Sequence, residues 1–196
     1  MTGNREENAI VVEYLASGKA GEAQKEPVAQ LIGESQFTLL EVVPKPGVAL
    51  AVGEKVYIGS GPRDKIDHIR GRIAFAEMTN RGQQECRVVV AKIVKAREAD
   101  FVRFFNTAGP INIRAHYLEQ IPSVGKKHLQ AILDARDKKA FESFEDIQAR
   151  VPHLTNVEHL VVERIIEELS NVETRYYLFT KPPAREEPVE ERRYRR

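Results

Sequence analysis

One cysteine in 196 residues, Cys86, excludes an internal disulfide. The five histidines are scattered without the Cys/His spacing that zinc requires, so no metal ligand set is expected. No run approaches the roughly 18 apolar residues of a spanning helix, and the opening Met-Thr-Gly-Asn-Arg-Glu-Glu-Asn lacks the apolar stretch of a signal peptide. The expectation is a soluble protein of a reducing cytoplasm with no membrane partner. Charge of one sign is also scarce, because 30 Lys and Arg balance 29 Asp and Glu for a net charge of +1. Any polyanion must therefore be met by local charge, and the positive excess lies in residues 61–108 and 171–196. His68, His116, His128, His153 and His159 stand near no recognisable nucleophile or carboxylate constellation. No catalytic residue, enzymatic activity or small-molecule substrate is expected.

What is present centres on Leu118 to Leu133, an apolar helical pattern interrupted by Pro122-Ser123-Val124-Gly125 and then resumed. Proline stops a helix and biases Ile121 toward extended backbone, while Gly125 can take a positive φ. Two short helices should meet there at a tight turn. Backbone N–H groups of Ser123, Val124, Gly125 and Lys126 would lie at the positive end of the second helix, followed by the cations of Lys126 and Lys127. That combination suits a phosphate. The residues resemble the helix-hairpin-helix motif, whose Pro-Gly-Val-Gly turn grips a nucleic-acid phosphate, with Ser123 in place of the first glycine. A potassium or sodium ion sometimes sits in related hairpins. A monovalent cation is thus the one cofactor the resemblance leaves open.

Upstream, Ala9–Leu15, Val28–Ile32, Phe37–Val43 and Glu54–Ile58 read as strands, and 67–77 and 85–95 as two longer ones. Strands without alternating helices argue a small β-barrel, and their order, with a glycine-flanked Lys-Val-Tyr-Ile, resembles an OB-fold. Arg70 and Arg72, two apart on one strand, should share a sheet face and offer phosphate contacts, with Tyr57 on a neighbouring strand as a stacking surface. Residues 96–107 change period, and Phe101, Val102, Phe104 and Phe105 form a stripe expected in the core.

Asn112 is a plausible N-cap for the helix entering the hairpin. Residues 134–140 read as a charged linker. A second proline break at Val151-Pro152-His153-Leu154-Thr155 lies thirty residues after the first, with Ser143/Asp146 and Thr155/Glu158 as capping pairs. Leu154-Thr155 replaces the Val-Gly of the first turn and no lysine pair follows, so this hairpin should be structural. Residues 171–180 suggest one last strand before a cationic tail.

The predicted class is α+β: an OB-like barrel over 1–108, an all-α tandem helix-hairpin-helix domain over 109–170, and a strand with a charged tail over 171–196. Residues 111–169 resemble the tandem hairpins of bacterial competence DNA receptors. The whole resembles an archaeal family, domain of unknown function 655, described as predicted nucleic-acid or RNA binders. The expected function is non-catalytic gripping of a nucleic-acid backbone with low sequence specificity. The barrel and the family description favour RNA, while the hairpins alone favour DNA. The alternative is a protein-interaction adaptor in a ribosomal or transcription assembly, drawn from the acidic face of Glu163, Glu167 and Glu168.

Overall fold

Strand β1 (Asn8–Leu15) sets the architecture because it carries apolar side chains on both of its faces. It pairs antiparallel with β2 (Val28–Gly33) and with β4 (Lys55–Tyr57), while β3 (Leu39–Pro44) joins β2 to β5 (Ile66–Arg72). The result is a curled five-stranded antiparallel half-barrel of order β4-β1-β2-β3-β5 in this computed structural model, which describes residues 5–19, 21, 26–171 and 173–182. Ala9, Val11, Ala29, Leu31, Leu40, Val42 and Val56 fill the concave face. Val12, Ile32 and Leu39 join the second core, which contains the helices. That division leaves β2 and β3 buried along their whole length, Gln30 and Glu41 included.

The first four strands follow the expectation, the fifth forms over only its first part, and the sixth does not form. The segment expected as a strand over 67–77 stops at Arg72, and Phe75–Glu77 is a 3₁₀ turn. The segment expected as a strand over 85–95 is helix α1 (Asn80–Ala96). Val88, Val89 and Val90 raise β propensity, yet the buried set Cys86, Val89, Val90, Ile93 and Val94 has helical spacing and packs α1 on the sheet and on α5 (Val157–Ser170). Thr79 caps the helix, its Oγ1 accepting from Gly82 N at 2.9 Å and donating to Glu13 Oε2 at 2.7 Å. Gly82 permits this close approach, because a Cβ there would stand 2.7 Å from Gln30 Oε1. Burial pushes the Cys86 thiol up to about 12, which keeps it protonated and unreactive.

Helix α2 (Glu98–Thr107) buries Phe101, Val102 and Phe105, as its stripe implied. Its core continues without interruption into Leu118, Ile121, Val124, Ile147, Leu154 and Ile165 of the C-terminal half. Polar ties reinforce the junction. Arg136 Nη1 donates to the carbonyls of Phe105 and Ala108 at 3.0 and 2.8 Å, and Asn106 exchanges two hydrogen bonds with the backbone of Phe141.

In the C-terminal half a two-stranded hairpin, β6 (Pro110–Asn112) with β7 (Ala115–His116), precedes α3 (Lys126–Lys138), α4 (Phe144–Arg150) and α5. Asn112 is therefore no helix cap; its Oδ1 accepts from Arg114 N at 2.8 Å and closes the β6–β7 turn. The expected linker at 134–140 is for the most part the end of α3, where Arg136 and Lys138 face the negative end of the dipole. Ser143 caps α4 through Asp146 N as expected. Thr155 does not cap α5, which begins after Asn156 with no side-chain cap.

No strand forms over 173–182. Instead the buried carboxylate of Glu168 accepts from the backbone N–H groups of Leu178, Phe179 and Thr180 at 2.8 to 3.1 Å, and from Arg164 Nε at 2.9 Å. These bonds replace a strand ladder and set Phe179 edge-on to Phe101 and Phe104. The cationic end of the tail lies outside the described residues. No helix among the described residues is long and apolar enough to cross a membrane.

Candidate nucleic-acid interface

The turn before α3 is built by one hydrogen bond and one unusual torsion. Val124 N donates to Ile121 O at 3.1 Å, and Ser123 between them has φ 65°. Proline at the second position and positive φ at the third are the type II turn pattern. Ile121 and Val124 are buried, which anchors the turn, while Ser123, Gly125, Lys126 and Lys127 are exposed. His128 Nδ1 donates to Ser123 O at 2.8 Å and holds the turn against the first turn of α3.

Two expectations are corrected here. Gly125 has φ −89°, so the left-handed position belongs to Ser123, where the motif has its first glycine. The N–H of Val124 is spent inside the turn, so the open donors are those of Ser123, Gly125, Lys126 and Lys127. Gly125 is the N-cap, lacks a side-chain cap, and has no atom within 4 Å of where a Cβ would stand. An anion approaching there meets backbone N–H groups directly.

The two lysines differ. Lys126 Nζ pairs with Glu119 Oε1 at 2.7 Å and donates to Arg114 O at 3.2 Å, although its side chain remains largely exposed. That ammonium holds the Glu119 carboxyl below the usual range. Lys127 has no ion-pair partner among the described residues. The helix expected before the turn is one 3₁₀ turn, Tyr117–Gln120, capped by His116, whose Nδ1 accepts from Leu118 N at 3.1 Å while Glu119 accepts from His116 N at 2.9 Å. Burial lowers the His116 imidazole below its ordinary value, and Arg136 adds to the effect. The neutral ring is the form that can accept at Nδ1.

The second break repeats the turn with a different outcome. Leu154 N donates to Val151 O at 3.3 Å and His153 has φ 63°, with Val151 and Leu154 buried as Ile121 and Val124 are. Here the first N–H of the following helix is taken, because Gln148 Oε1 accepts from Val157 N at 3.0 Å, whereas Asn156 itself supplies no cap. The Gln148 cap lies in the preceding helix and was invisible to local pattern.

Arg70 and Arg72 do not form a pair. A register shift in β5 makes Arg70 an extra residue between Ile69, opposite Val42, and Gly71, opposite Glu41. Arg70 bonds Glu41 at 3.1 Å and Glu26 at 3.0 Å, whereas Arg72 lies opposite Leu40 on the concave side. Ile69 accordingly packs in the concave core and Ile73 in the helical one. Tyr57 sits on the far edge strand, and its hydroxyl accepts from Gly61 N at 3.1 Å. The sequence reading also missed Ile113, fully exposed at the β6–β7 tip beside Arg114, whose carbonyl holds Lys126. Full exposure of a β-branched residue was not readable without the turn.

Comparison with known proteins gives three matches. The model of a family described as protein of unknown function (DUF655) matches residues 5–181. The uncharacterised protein MJ0038 of Methanocaldococcus jannaschii is 43% identical over 177 residues, which is 90% of this chain and 80% of that protein. The crystal structure of Af1531 from Archaeoglobus fulgidus, also of the DUF655 family, is 40% identical with a TM-score of 0.83 over 90% of this chain and 100% of that one.

Proposed function

This chain belongs to the DUF655 family, and from that premise we propose that it is a non-catalytic nucleic-acid-binding protein that grips the phosphate backbone with the turn before α3. In this reading 117–138 and 144–170 are tandem helix-hairpin-helix units beside an OB-like half-barrel. The observation that carries it is the contrast between two equivalent turns. Both place a residue at φ near 64° between buried apolar anchors, yet only the first is followed by two exposed lysines, while at the second the first helical N–H, that of Val157, is already taken by Gln148. Donors of Ser123, Gly125, Lys126 and Lys127 would meet one phosphate oxygen cluster, with Lys127 and Lys126 adding charge. Such contacts position a strand without reading bases, and Ile113 at the neighbouring tip adds an apolar contact. RNA is the favoured polymer on the OB-like barrel. Of the acidic set behind the adaptor alternative, Glu168 is buried against Arg164, while Glu163 and Glu167 stay partly exposed in pairs with Arg87 and Arg164.

The test is a salt-dependent titration with single-stranded RNA, double-stranded RNA and duplex DNA. Charge reversal of both Lys126 and Lys127 to Glu should weaken binding across sequences and lower the slope of log K against log salt by roughly 2. An unchanged slope and affinity would remove the hairpin from the interface.

A further inference from the structure

A second cationic site lies away from the hairpin, at one mouth of the half-barrel. Arg5, Arg72 and Lys181 line a cavity of about 230 Å³ whose floor is Leu40 and Ile58. The three cations come from segments remote in sequence, and the fold fixes each of them. Arg72 lies opposite Leu40 in the sheet, Lys181 N donates to Gln36 O at 3.2 Å, and Arg5 immediately precedes the anchored Glu6. No carboxylate pairs with any of them among the described residues; the polar contact of Arg72 is a 3.4 Å approach to Pro182 O.

The one acid in the wall, Glu6, is already satisfied. Its carboxylate accepts from Ser35, Gln36 and Thr38 N–H groups at 2.9, 2.7 and 3.2 Å, inside a turn that admits it only because Gly33 has no Cβ. Three cations against one carboxylate leave two positive charges in excess in a pocket with an apolar floor. A phosphodiester within a strand carries one negative charge, whereas a terminal phosphomonoester carries about −1.5 to −2 at neutral pH with three strong acceptor oxygens.

We propose that this mouth binds a terminal phosphomonoester of a nucleotide, with the phosphate on Arg5, Arg72 and Lys181 and the sugar over Leu40 and Ile58. The same chemistry is offered by the phosphorylated end of a strand and by a free mononucleotide. The site stands on different residues from the hairpin, so either can fail alone.

The experiment compares short single-stranded RNAs of one sequence bearing a 5′-phosphate, a 3′-phosphate or neither, with AMP and inorganic phosphate as competitors. A phosphorylated end should bind about tenfold tighter than the unphosphorylated strand, as two or three charge-assisted contacts to a dianion imply. That advantage should vanish in R5Q/R72Q/K181Q, whose replaced side chains are exposed and carry no ion pair among the described residues, and survive in K126E/K127E. Competition by AMP identifies a mononucleotide source, and its absence alongside a terminal-phosphate advantage identifies the strand end; both support the site. Equal binding of all three RNAs with no AMP competition would overturn it. So would an advantage unchanged in the triple variant, or inorganic phosphate competing as well as AMP, which would leave an anion site without a nucleotide.

Discussion

Ser123 occupies the backbone conformation that glycine takes at no steric cost, and this single torsion fixes what substitutions at the turn should do. A non-glycine residue in the left-handed region loses roughly 1–2 kcal/mol, partly offset by the entropy that glycine would lose on folding. Ser123→Gly should therefore stabilise the protein by about 0.5–1 kcal/mol, read as a higher urea midpoint at unchanged slope. Gly125 obeys the opposite logic. Its φ of −89° suits any residue and its Cβ position is empty, so Gly125→Ala should change stability by less than about 0.5 kcal/mol. The added methyl stands where a phosphate would approach, so affinity for RNA should still fall several-fold, measured by the same titration on variants of equal melting temperature. The proline break and the lysines were legible in the sequence. Which residue bears the strained torsion was not, because Ser123 and Gly125 are both exposed and only the Val124 to Ile121 bond distinguishes them.

Among the elements, the 3₁₀ turn before the hairpin depends on a neutral imidazole. His116 is depressed below its ordinary value of 6.5, so both folded and unfolded forms are neutral above that pH and the stabilisation is complete there. As pH falls below 6.5 the unfolded chain takes a proton that the folded one resists, and stability declines until the folded value is reached. Thermal melts between pH 7.5 and pH 5 should show this loss, and His116→Asn, which keeps a capping acceptor without titrating in that range, should flatten the His116 share of it. Helix α1 shows why elements are harder to read than residues. Three consecutive valines favour a strand locally, while burial at 86, 89, 90, 93 and 94 favours a helix, and packing between the sheet and α5 decides. The bulge in β5 shows the same limit. One extra residue sends Arg70 and Arg72 to different faces, and nothing in their two-residue spacing reveals it.

Over the whole molecule, the strands of the half-barrel and the repeated proline turns were readable because each is a local pattern, while the ties between the halves were not, because each joins distant segments. Glu168 is the clearest of these ties. It was read as part of an acidic surface, yet it is buried, paired with Arg164 and bonded to three backbone N–H groups of 178–180, which set Phe179 on α2. Glu168→Ala would remove the buried partner of Arg164, leaving it only the partly exposed Glu167, and would leave the N–H groups of 178–180 unmet; it should cost about 3–5 kcal/mol, seen as a lower melting temperature and faster proteolysis within 173–182. The central claim is that one of two equivalent turns faces a nucleic acid and the other does not. It is tested most directly by NMR, following backbone amides while a single-stranded RNA is added. The account predicts that amides of Gly125, Lys126 and Lys127 shift progressively while those of Thr155, Asn156 and Val157 stay in place. Equal shifts at both turns, or shifts confined to the second, would contradict it.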